Sequence, residues 1–412
     1  MSIRQRVYPR GDQLAVLQMH CDHARYIYNL GLEHRKVAYR HKLSYGHRPD
    51  YRDRHIGSSF AAQSKLLTEA RAEFSWLREG SAVVQQGALR DLDRAFTNFF
   101  EKRASHPTFR SGRAPRQGFV VRDVTVVKLN KTWAAITVPK VGQVRFRLSR
   151  PWEAVKAATG ARITFHNNQW HVALTTPPRG KINAEATAGH IGIDRGVKNT
   201  IVTSDSEFFQ APSLTDGECR RFVALERKLA RQRKGSRNRE ATKAKLSVLR
   251  QRLGNRRGEW IEQTTTELAL RHSSITLEKL PVRNMVRRPK PKPDPDNPGN
   301  YLPNGASAKA GLNKAILASC WGKFAERLSH KTDVIEVPAK YTSQQCHSCG
   351  HIDERNRESQ AEFRCVNCGN SGHADVHAAM NIDERAFGPL NTCRRTGGLR
   401  ATETSAANQQ AA

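Results

Sequence analysis

The spacing of hydrophobic residues divides the first part of the chain into helical and strand-forming stretches. Between Gln13 and about Arg40, apolar residues recur every three or four positions, which predicts one face of a helix. The same spacing predicts helices over 59–77 and 82–104. From Gly118 the period drops to two, which predicts short strands separated by Gly, Asn and Pro turns. We therefore expect a helical block followed by a small β-barrel that also includes the N-terminal strand at 2–9.

The second part of the chain mixes strands and helices. Two hairpinned strands are expected from His190, the first ending at Asp194. A long helical hairpin over about 215–271 follows, with its bend at Gly235-Ser236. The next predicted strand ends in Glu278.

Three further elements complete the pattern. A Pro-, Gly- and charge-rich stretch, MVRRPKPKPDPDNPGNYLPNGAS, is expected to form a mobile loop or lid. One helix is predicted from Lys309 to about Lys331, and a strand at 334–338. The last helix should begin at or just after Asp375.

The charge of the chain indicates a polyanionic partner. The sequence has 69 Lys and Arg against 38 Asp and Glu, for a net charge of +31 and a pI of about 10.4. No apolar run is long enough to span a membrane, and the N-terminus lacks the apolar core of a signal peptide. We therefore expect a cytosolic protein that binds nucleic acid and no membrane.

The excess of positive charge is concentrated in the predicted helical hairpin. Between Arg220 and Arg257 there are fifteen Lys or Arg residues but only two acids, Glu226 and Glu240. A solvated surface helix would carry both signs of charge, so this imbalance favours contact with phosphates. The residues chosen as nucleic-acid contacts are Arg227, Arg231, Arg233, Lys234, Arg237 and Arg239.

Four cysteines near the C-terminus have the spacing of a zinc ribbon. Cys346 and Cys349 form one C-x2-C pair, Cys365 and Cys368 form another, and fifteen residues separate the two pairs. Four thiolates complete a tetrahedron and leave no open position, so one structural Zn²⁺ is expected. The other cysteines are scattered, which argues against a disulfide framework.

Three distant acids, Asp194, Glu278 and Asp375, are candidates for a catalytic metal site. Two lie at the ends of predicted strands, and the third begins a helix after the cysteine pairs. Hydrolysis of a phosphodiester often uses two Mg²⁺ ions roughly 3.5–4 Å apart, held by carboxylates. Taken singly, an acid at a strand end is more often a surface or capping residue than a catalytic one. The hypothesis is that folding brings the three together, with Asp194 bridging both ions.

The order of these motifs resembles TnpB, the RNA-guided endonucleases of bacterial insertion sequences, and their relatives, the compact type V CRISPR effectors. IGIDRGVKN and ITLEKL are similar to the first two RuvC motifs of that family. The cysteine pairs followed by HADVHAAMNI are similar to its zinc-ribbon insertion and third RuvC motif. Many members have Asn where this chain has His377, a departure that could reduce activity.

The resemblance implies a multidomain α/β fold. It comprises an RNase H-like RuvC domain with a zinc-ribbon insertion, a helical recognition block and a small β-barrel, the wedge domain. The implied boundaries are a wedge strand at 1–10, a recognition domain at 11–117, a wedge barrel at 118–182, a RuvC-like nuclease at 188–340 and 373–392, a zinc ribbon at 341–372, and a disordered tail at 393–412.

The resemblance also implies the partners. A guide RNA made from the element's own end would pair with one strand of double-stranded target DNA, while the protein reads a short adjacent motif. Gln86 aligns with a family position that touches this DNA, and Tyr51 is expected nearby. The protein would act as a monomer in the bacterial cytoplasm, associated with the nucleoid.

Other interpretations stay open on the sequence. Arg195 and Lys198 could steer the scissile strand, or could stabilise the fold by pairing with a nearby acid. His347, His351 and His373 could compete for the zinc, although surface positions are favoured. The protein could also be a nuclease-inactive RNA-guided repressor, a transposase or transposition accessory protein, or a zinc protein that packages RNA.

Overall fold

The structure is a computed structural model that describes residues 2–45, 57–177, 180–182, 188–297 and 299–388. The chain divides into two compact units, Met1–Arg179 and Gly180–Ala412. None of the described helices is long and apolar enough to cross a bilayer.

The first unit combines helices with a single β-sheet. Its helices are α1 (Gly11–Tyr45), α2 (Phe60–Glu73), α3 (Ser75–Glu79), α4 (Ala82–Phe100) and α5 (Trp152–Lys156). Its strands are β1 (Ser2–Tyr8), β2 (Arg116–Arg122), β3 (Val126–Lys128), β4 (Trp133–Val138), β5 (Gly142–Arg147), β6 (Gly160–His166) and β7 (Gln169–Thr175). The single helix predicted over 59–77 is in fact two, because Phe74 adopts an extended conformation between α2 and α3.

The seven strands form one antiparallel sheet in the order β2-β6-β7-β1-β5-β4-β3. The N-terminal strand β1 lies inside this sheet between β7 and β5, as the sequence pattern predicts. The two edge strands, β2 and β3, are separated by only residues 123–125. Three residues span about 10 Å at most, so the sheet must roll until its edges approach one another. Alternate residues such as Phe119, Phe146 and Val172 fill the inside of the roll.

The second unit contains the remaining helices and strands. Its helices are α6 (Asp216–Arg231), α7 (Arg237–Arg271), α8 (Val282–Met285), α9 (Ala306–Ala318), α10 (Trp321–Ser329) and α11 (Ala374–Phe387). Its strands are β8 (Ala188–Asp194), β9 (Ile201–Thr203), β10 (Phe208–Phe209), β11 (His272–Lys279), β12 (Lys292–Pro293), β13 (Tyr301–Leu302), β14 (Asp333–Pro338), β15 (Glu362–Arg364) and β16 (Ser371–His373).

A mixed five-stranded sheet organises this unit, in the order β10-β9-β8-β11-β14. Strands β10, β9 and β8 pair antiparallel, whereas β8, β11 and β14 run parallel. On one face, Ile193 and Leu277 pack with Leu268 of α7 and Phe324 of α10. Helix α11 covers the other face at Gly192, where a side chain would collide with the main-chain oxygen of Ala379. This glycine therefore allows α11 to approach the sheet closely.

Several predictions for this unit need correction. The helix predicted from Lys309 to Lys331 is broken into α9 and α10, because Cys320 adopts a left-handed conformation with φ of 59°. The apolar spacing continues across this break, so the pattern alone did not reveal it. The Pro-rich stretch predicted as a loop contains the β12–β13 hairpin, and α8 ends at its first residue, Met285. The strands after His190 number three, since β10 extends the hairpin. The bend of the α6–α7 hairpin lies at Gly235-Ser236 as predicted.

The contact between Gly192 and α11 generates a prediction. Gly192→Ala should force α11 away from the sheet, and overpacking of this kind costs about 1–3 kcal/mol of unfolding free energy. Urea unfolding of both proteins measures the loss. Gly189→Ala, in the same strand with no atom within 4 Å of the added carbon, is the matched control and should be neutral. Equal stability of the two variants would contradict the close approach.

Candidate active site and zinc site

Two of the three candidate acids lie at the carboxyl ends of neighbouring parallel strands. Asp194 ends β8, and Glu278 is the last residue but one of β11. The ladder pairs Ile193 with Leu277, so the residues that follow them, the two acids, lie side by side. Because side chains alternate along a strand, both acids point away from the core formed by Ile193 and Leu277.

The third acid comes from α11. Asp375 is in the first turn of this helix, which packs on the face of the sheet that carries the other two acids. Asp375 is only 6% exposed and Glu278 only 7%. Burial, and then the charges of Glu278 and Asp375, raise the pKa of Asp194 to about 7. Burial also raises the pKa of Glu278. The structure therefore places the three acids in one electrostatically coupled group.

Both oxygens of Asp375 have protein partners. Arg357 donates to Oδ1 from Nη2 at 2.9 Å, and Asn199 donates to Oδ2 from Nδ2 at 2.9 Å. The charge of Arg357 also acts to lower the pKa of Asp194. Asn199 belongs to the IGIDRGVKN segment, which could have drawn attention to it, but nothing in the sequence around Arg357 marks that residue. Sequence reasoning missed both.

The ligand atoms of the three acids lie farther apart than those of the four cysteines. Within the described ranges, the four cysteines are the only set of three or more His, Cys, Asp or Glu residues that brings its ligand atoms within 4.8 Å of one another. The acids are coupled by their charges, while Asp375 is held by Arg357 and Asn199. A cation bound between the acids would therefore draw their oxygens closer together.

Arg195 lies on the side of the sheet opposite the acids. As the residue after Asp194 it points the other way, and its guanidinium donates to the main-chain oxygen of Glu278. It is 7% exposed and, with Glu336, lines a cavity of about 610 Å³ next to α10. This position favours the structural alternative, in which Arg195 fixes the strand end that presents Glu278. Lys198 is exposed, and its role stays a prediction.

The four cysteines fit a zinc ion. The Sγ atoms of Cys346 and Cys368 are 3.7 Å apart, and those of Cys349 and Cys365 are 3.5 Å apart. Zn–S bonds of 2.3 Å in a tetrahedron separate the sulfurs by about 3.8 Å, so the arrangement matches. Each cysteine pair is followed by a glycine with positive φ, 73° at Gly350 and 74° at Gly369. These left-handed residues turn the chain back so that both thiols of a pair face one point.

The ribbon supports the helix that carries Asp375. Strand β16 leads directly into α11, and the main-chain nitrogen of Asp375 donates to Nδ1 of His373 at 3.2 Å. Nδ1 of His347 lies 3.0 Å from Nδ1 of His377, and the His377 ring stacks on Phe363 at 4.3 Å. His373 and His347 are thus neither zinc ligands nor free surface residues.

The surroundings of two further histidines, His351 and His377, are also defined by their contacts. His351 is partly exposed and lies 3.9 Å from Asp353. Burial lowers the pKa of His377 to about 4, so this ring is neutral. Its contacts with His347 and Phe363 hold the ribbon against α11.

The basic hairpin presents most of its predicted contacts to solvent. Arg227, Arg231, Arg233, Lys234 and Arg237 are exposed. Arg239 differs, because its guanidinium donates to the main-chain oxygens of Leu229 and Gln232 and so caps the end of α6. Counting charges in the sequence could not separate this structural arginine from the exposed ones.

Both DNA contacts implied by the resemblance, Gln86 and Tyr51, stay predictions. Gln86 is half-buried on α4, and its role stays a prediction. Tyr51 lies outside the described residues.

Three family models match the chain. Residues 321–382 match the Cas12f1-like TNB domain, residues 171–288 match the OrfB/IS605 family described as "probable transposase", and residues 1–43 match a domain described as helix-turn-helix. The structure of that last segment is one strand followed by a single continuous helix, β1 and α1.

Relatives and a solved structure agree with these matches. "Putative RNA-guided DNA endonuclease InsQ" of Escherichia coli (strain K12) is 31% identical over 330 residues, 79% of this chain and 78% of its own. "Putative RNA-guided DNA endonuclease" of Streptomyces pristinaespiralis is 27% identical over 92% of this chain and 88% of its own. The cryo-EM structure of a Cas12f1–sgRNA–target DNA complex superposes with a TM-score of 0.52, 15% identity, and coverage of 89% of this chain and 82% of that one.

The fold and the cysteine site define a Cas12-like multidomain α/β protein with a zinc-ribbon-like TNB domain. Within that class, the chain belongs to the OrfB/IS605 family of TnpB-like proteins.

Substitutions of Arg195 test whether this residue stabilises the fold at Glu278. Arg195→Met should remove the charged hydrogen bond to the Glu278 main chain and lower the unfolding free energy by about 1.5–3 kcal/mol. Arg195→Lys, which keeps the charge, should recover part of the loss. Urea unfolding measures both. If Arg195→Met is as stable as the wild type yet impairs function, Arg195 acts on the substrate instead.

The zinc site can be tested by metal content. Cys346→Ser should leave the chain with less than one zinc and should lower its melting temperature, since the ribbon and the start of α11 share the buried cluster of Cys346, Phe363, Cys365 and Ala374. Cys219→Ser is the control, because Cys219 is exposed on α6. Full zinc content in Cys346→Ser would refute the assignment of Cys346 as a ligand.

Proposed function

We propose that this chain is an RNA-guided DNA endonuclease that cleaves double-stranded DNA next to a short motif, using a guide RNA made from the end of its own element. The observation that carries the proposal is the coupled group of Asp194, Glu278 and Asp375 at one edge of the mixed sheet. The names of the relatives, RNA-guided DNA endonucleases, support the same activity.

The three acids are suited to hold divalent cations. Asp194 is the acid that interacts with both of the others, since the charges of Glu278 and Asp375 both raise its pKa. Carboxylate oxygens are the ligands that Mg²⁺ prefers, and three anionic groups kept close together favour a bound cation. Asp194, Glu278 and Asp375 would together hold two Mg²⁺ ions, with Asp194 as the shared ligand and Glu278 and Asp375 each completing one. When bound, the ions would activate water and stabilise charge on the phosphodiester.

The neighbouring residues have positioning roles in this proposal. Arg357 and Asn199 orient the carboxylate of Asp375, each through one oxygen. Arg195 fixes the main chain at Glu278 from the opposite side of the sheet. Arg357 also carries a positive charge beside the acids, where it can meet a phosphate of the bound strand.

The parts of the chain take roles that follow from this activity. We assign 188–340 and 373–392 to the RuvC-like nuclease, 341–372 to the zinc ribbon, 11–117 to recognition, 1–10 and 118–182 to the wedge, and 393–412 to a tail. The mixed sheet with acids at its strand ends supports the first of these. Guide RNA and target DNA would contact the exposed basic residues of the α6–α7 hairpin. We propose a monomer.

The decisive experiment uses the protein with the RNA that copurifies with it. In Mg²⁺, the wild type should cut a DNA target that matches this RNA, and Asp194→Ala should bind the same target without cutting, because it loses the shared ligand. Asp205→Ala, an exposed acid in the turn after β9, is the control and should cut normally.

The outcomes separate the competing functions. Binding without cutting by the wild type would indicate a nuclease-inactive repressor. Cutting by Asp194→Ala would remove that residue from the site. No binding of a matched target would overturn RNA guidance itself.

A further inference from the structure

Helix α11 carries a second buried acid, eight residues after Asp375. This acid, Asp383, is fully buried, with 0% of its surface exposed. Burying a carboxylate is costly unless a partner pairs with it. One partner comes from β8, where Nδ1 of His190 lies 2.9 Å from each carboxylate oxygen of Asp383. A carboxylate only accepts hydrogen bonds, so Nδ1 is the donor, and this contact ties α11 to β8.

An aromatic ring holds the imidazole of His190 in this orientation. Phe387, the last residue of α11, stacks on it with ring centroids 3.9 Å apart and the ring planes inclined by 15°. The His190 ring therefore has one edge against Asp383 and one face against Phe387. Both contacts are made to α11, so one side chain of β8 meets the helix at two points about a turn apart.

The stripe of α11 that contacts His190 also carries the third candidate acid. Residues four apart lie on one face of a helix. The stripe consists of Asp375, Ala379, Asp383 and Phe387. Alternate residues of a strand share one face of the sheet. The residues of β8 that face the stripe are His190, Gly192 and Asp194. The two elements run in opposite directions, since β8 ends at the acids and α11 begins there.

The spacing of the contacts matches in the two elements. From Asp375 to Asp383 the helix rises by about 12 Å, at about 1.5 Å per residue. From Asp194 back to His190 the strand covers about 13 Å, at about 3.3 Å per residue. Because the two lengths agree, the contact of His190 with Asp383 and the pairing of the two acids form in the same register. A slip of α11 by one residue would turn the helix by about 100° and separate both pairs.

The close contact at Gly192 does not fix this register by itself. A glycine lets α11 approach the sheet, but it offers no side chain that resists sliding of the helix. A hydrogen bond from an imidazole to a carboxylate is directional and weakens steeply when its angle changes. The contact of His190 with Asp383 therefore supplies a directional link between β8 and α11.

We propose that His190 and Asp383 are positioning residues of the candidate active site, because their contact sets the register of α11 along β8 and so places Asp375 beside Asp194. Asp383 lies about 12 Å from Asp375 along the helix, so the pair acts through α11 and not on the substrate. The proposal rests on the proposed function in one respect, the binding of divalent cations by the three acids.

Direct measurement of cation binding tests the proposal without any cutting. The full chain is freed of RNA, and binding of Mn²⁺, a substitute for Mg²⁺, is followed by electron paramagnetic resonance. Asp383→Leu keeps the buried position filled but loses the hydrogen bond. It should bind Mn²⁺ about tenfold more weakly than the wild type, the loss typical of residues that orient metal ligands. Asp383→Asn keeps an oxygen that accepts from Nδ1 and should recover most of the affinity.

Two further variants separate positioning from a loss of stability. Lys331→Met removes another buried charged group of the same unit, one that donates to Thr265 and Thr266 of α7. It should lower the melting temperature without changing the Mn²⁺ affinity, because these partners are not on α11. The double variant His190→Leu with Asp383→Leu replaces the pair by two apolar side chains. It should fold, since the substitution leaves neither partner as an unpaired charge, and should bind Mn²⁺ as weakly as Asp383→Leu.

Cutting by the complex with its copurified RNA gives a second measurement. Asp383→Leu should need about ten times more Mg²⁺ than the wild type for half-maximal cutting, while its rate at saturating Mg²⁺ should fall less. A purely structural loss would reduce the amount of active protein, and hence the rate, but would leave the Mg²⁺ requirement unchanged.

The outcomes tell the two proposals apart. Mn²⁺ binding by the wild type that is no tighter than by Asp194→Ala would overturn the cation site of the proposed function, and this proposal with it. Tight binding by the wild type, with the same affinity in Asp383→Leu and in the double variant, would overturn the positioning role alone. An equal loss of affinity in Lys331→Met would also overturn it, since stability would then be the cause.

Discussion

The register between β8 and β11 is the constraint on which the candidate active site depends. Because Ile193 and Leu277 are level in a parallel ladder, the next residue of each strand carries its acid to the same edge and the same face. The hydrophobic contacts that fix this register are on the far side, where Ile193 and Leu277 pack against α7 and α10. A slip of one residue would send one carboxylate into that core, so the core itself enforces the pairing of the acids.

Burying Asp194 beside the other two acids has a cost in stability. The pKa of Asp194 rises from its ordinary value of 3.8 to about 7, so the folded state binds its proton more tightly than the unfolded chain does. For a carboxyl shifted in this direction, stability falls as pH rises from the lower value to the higher one, and the full cost is present above about 7. The fold carries this cost at neutral pH, and Arg357 offsets part of it by facing both Asp194 and Asp375. Burial of a carboxyl beside other acids, with burial here the larger cause, is typical of functional sites.

The sequence predicted the parts of this arrangement that follow from local pattern. Alternation placed Asp194 and Glu278 near strand ends, spacing paired the cysteines, and the N-terminal strand was expected in the sheet. Strand alternation alone also places Arg195 on the far face, as the residue after Asp194. Other features depend on contacts between segments far apart in the chain. Arg357 reaches Asp375 only because the ribbon folds back on α11, and Cys320 breaks a helix whose apolar spacing continues unchanged.

The zinc ribbon is part of the candidate active site and not only an appendage to it. The cluster of Cys346, Phe363, Cys365 and Ala374 joins the thiols to the first turn of α11 without an intervening linker. Arg357, which holds one oxygen of Asp375, lies between the two cysteine pairs in sequence and so belongs to the ribbon. The position of the third acid is therefore set from two sides, by helix packing at Gly192 and by the ribbon that carries the four cysteines. Since thiolate ligands must be deprotonated to bind zinc, the integrity of a carboxylate site depends here on cysteine chemistry some distance from the acids.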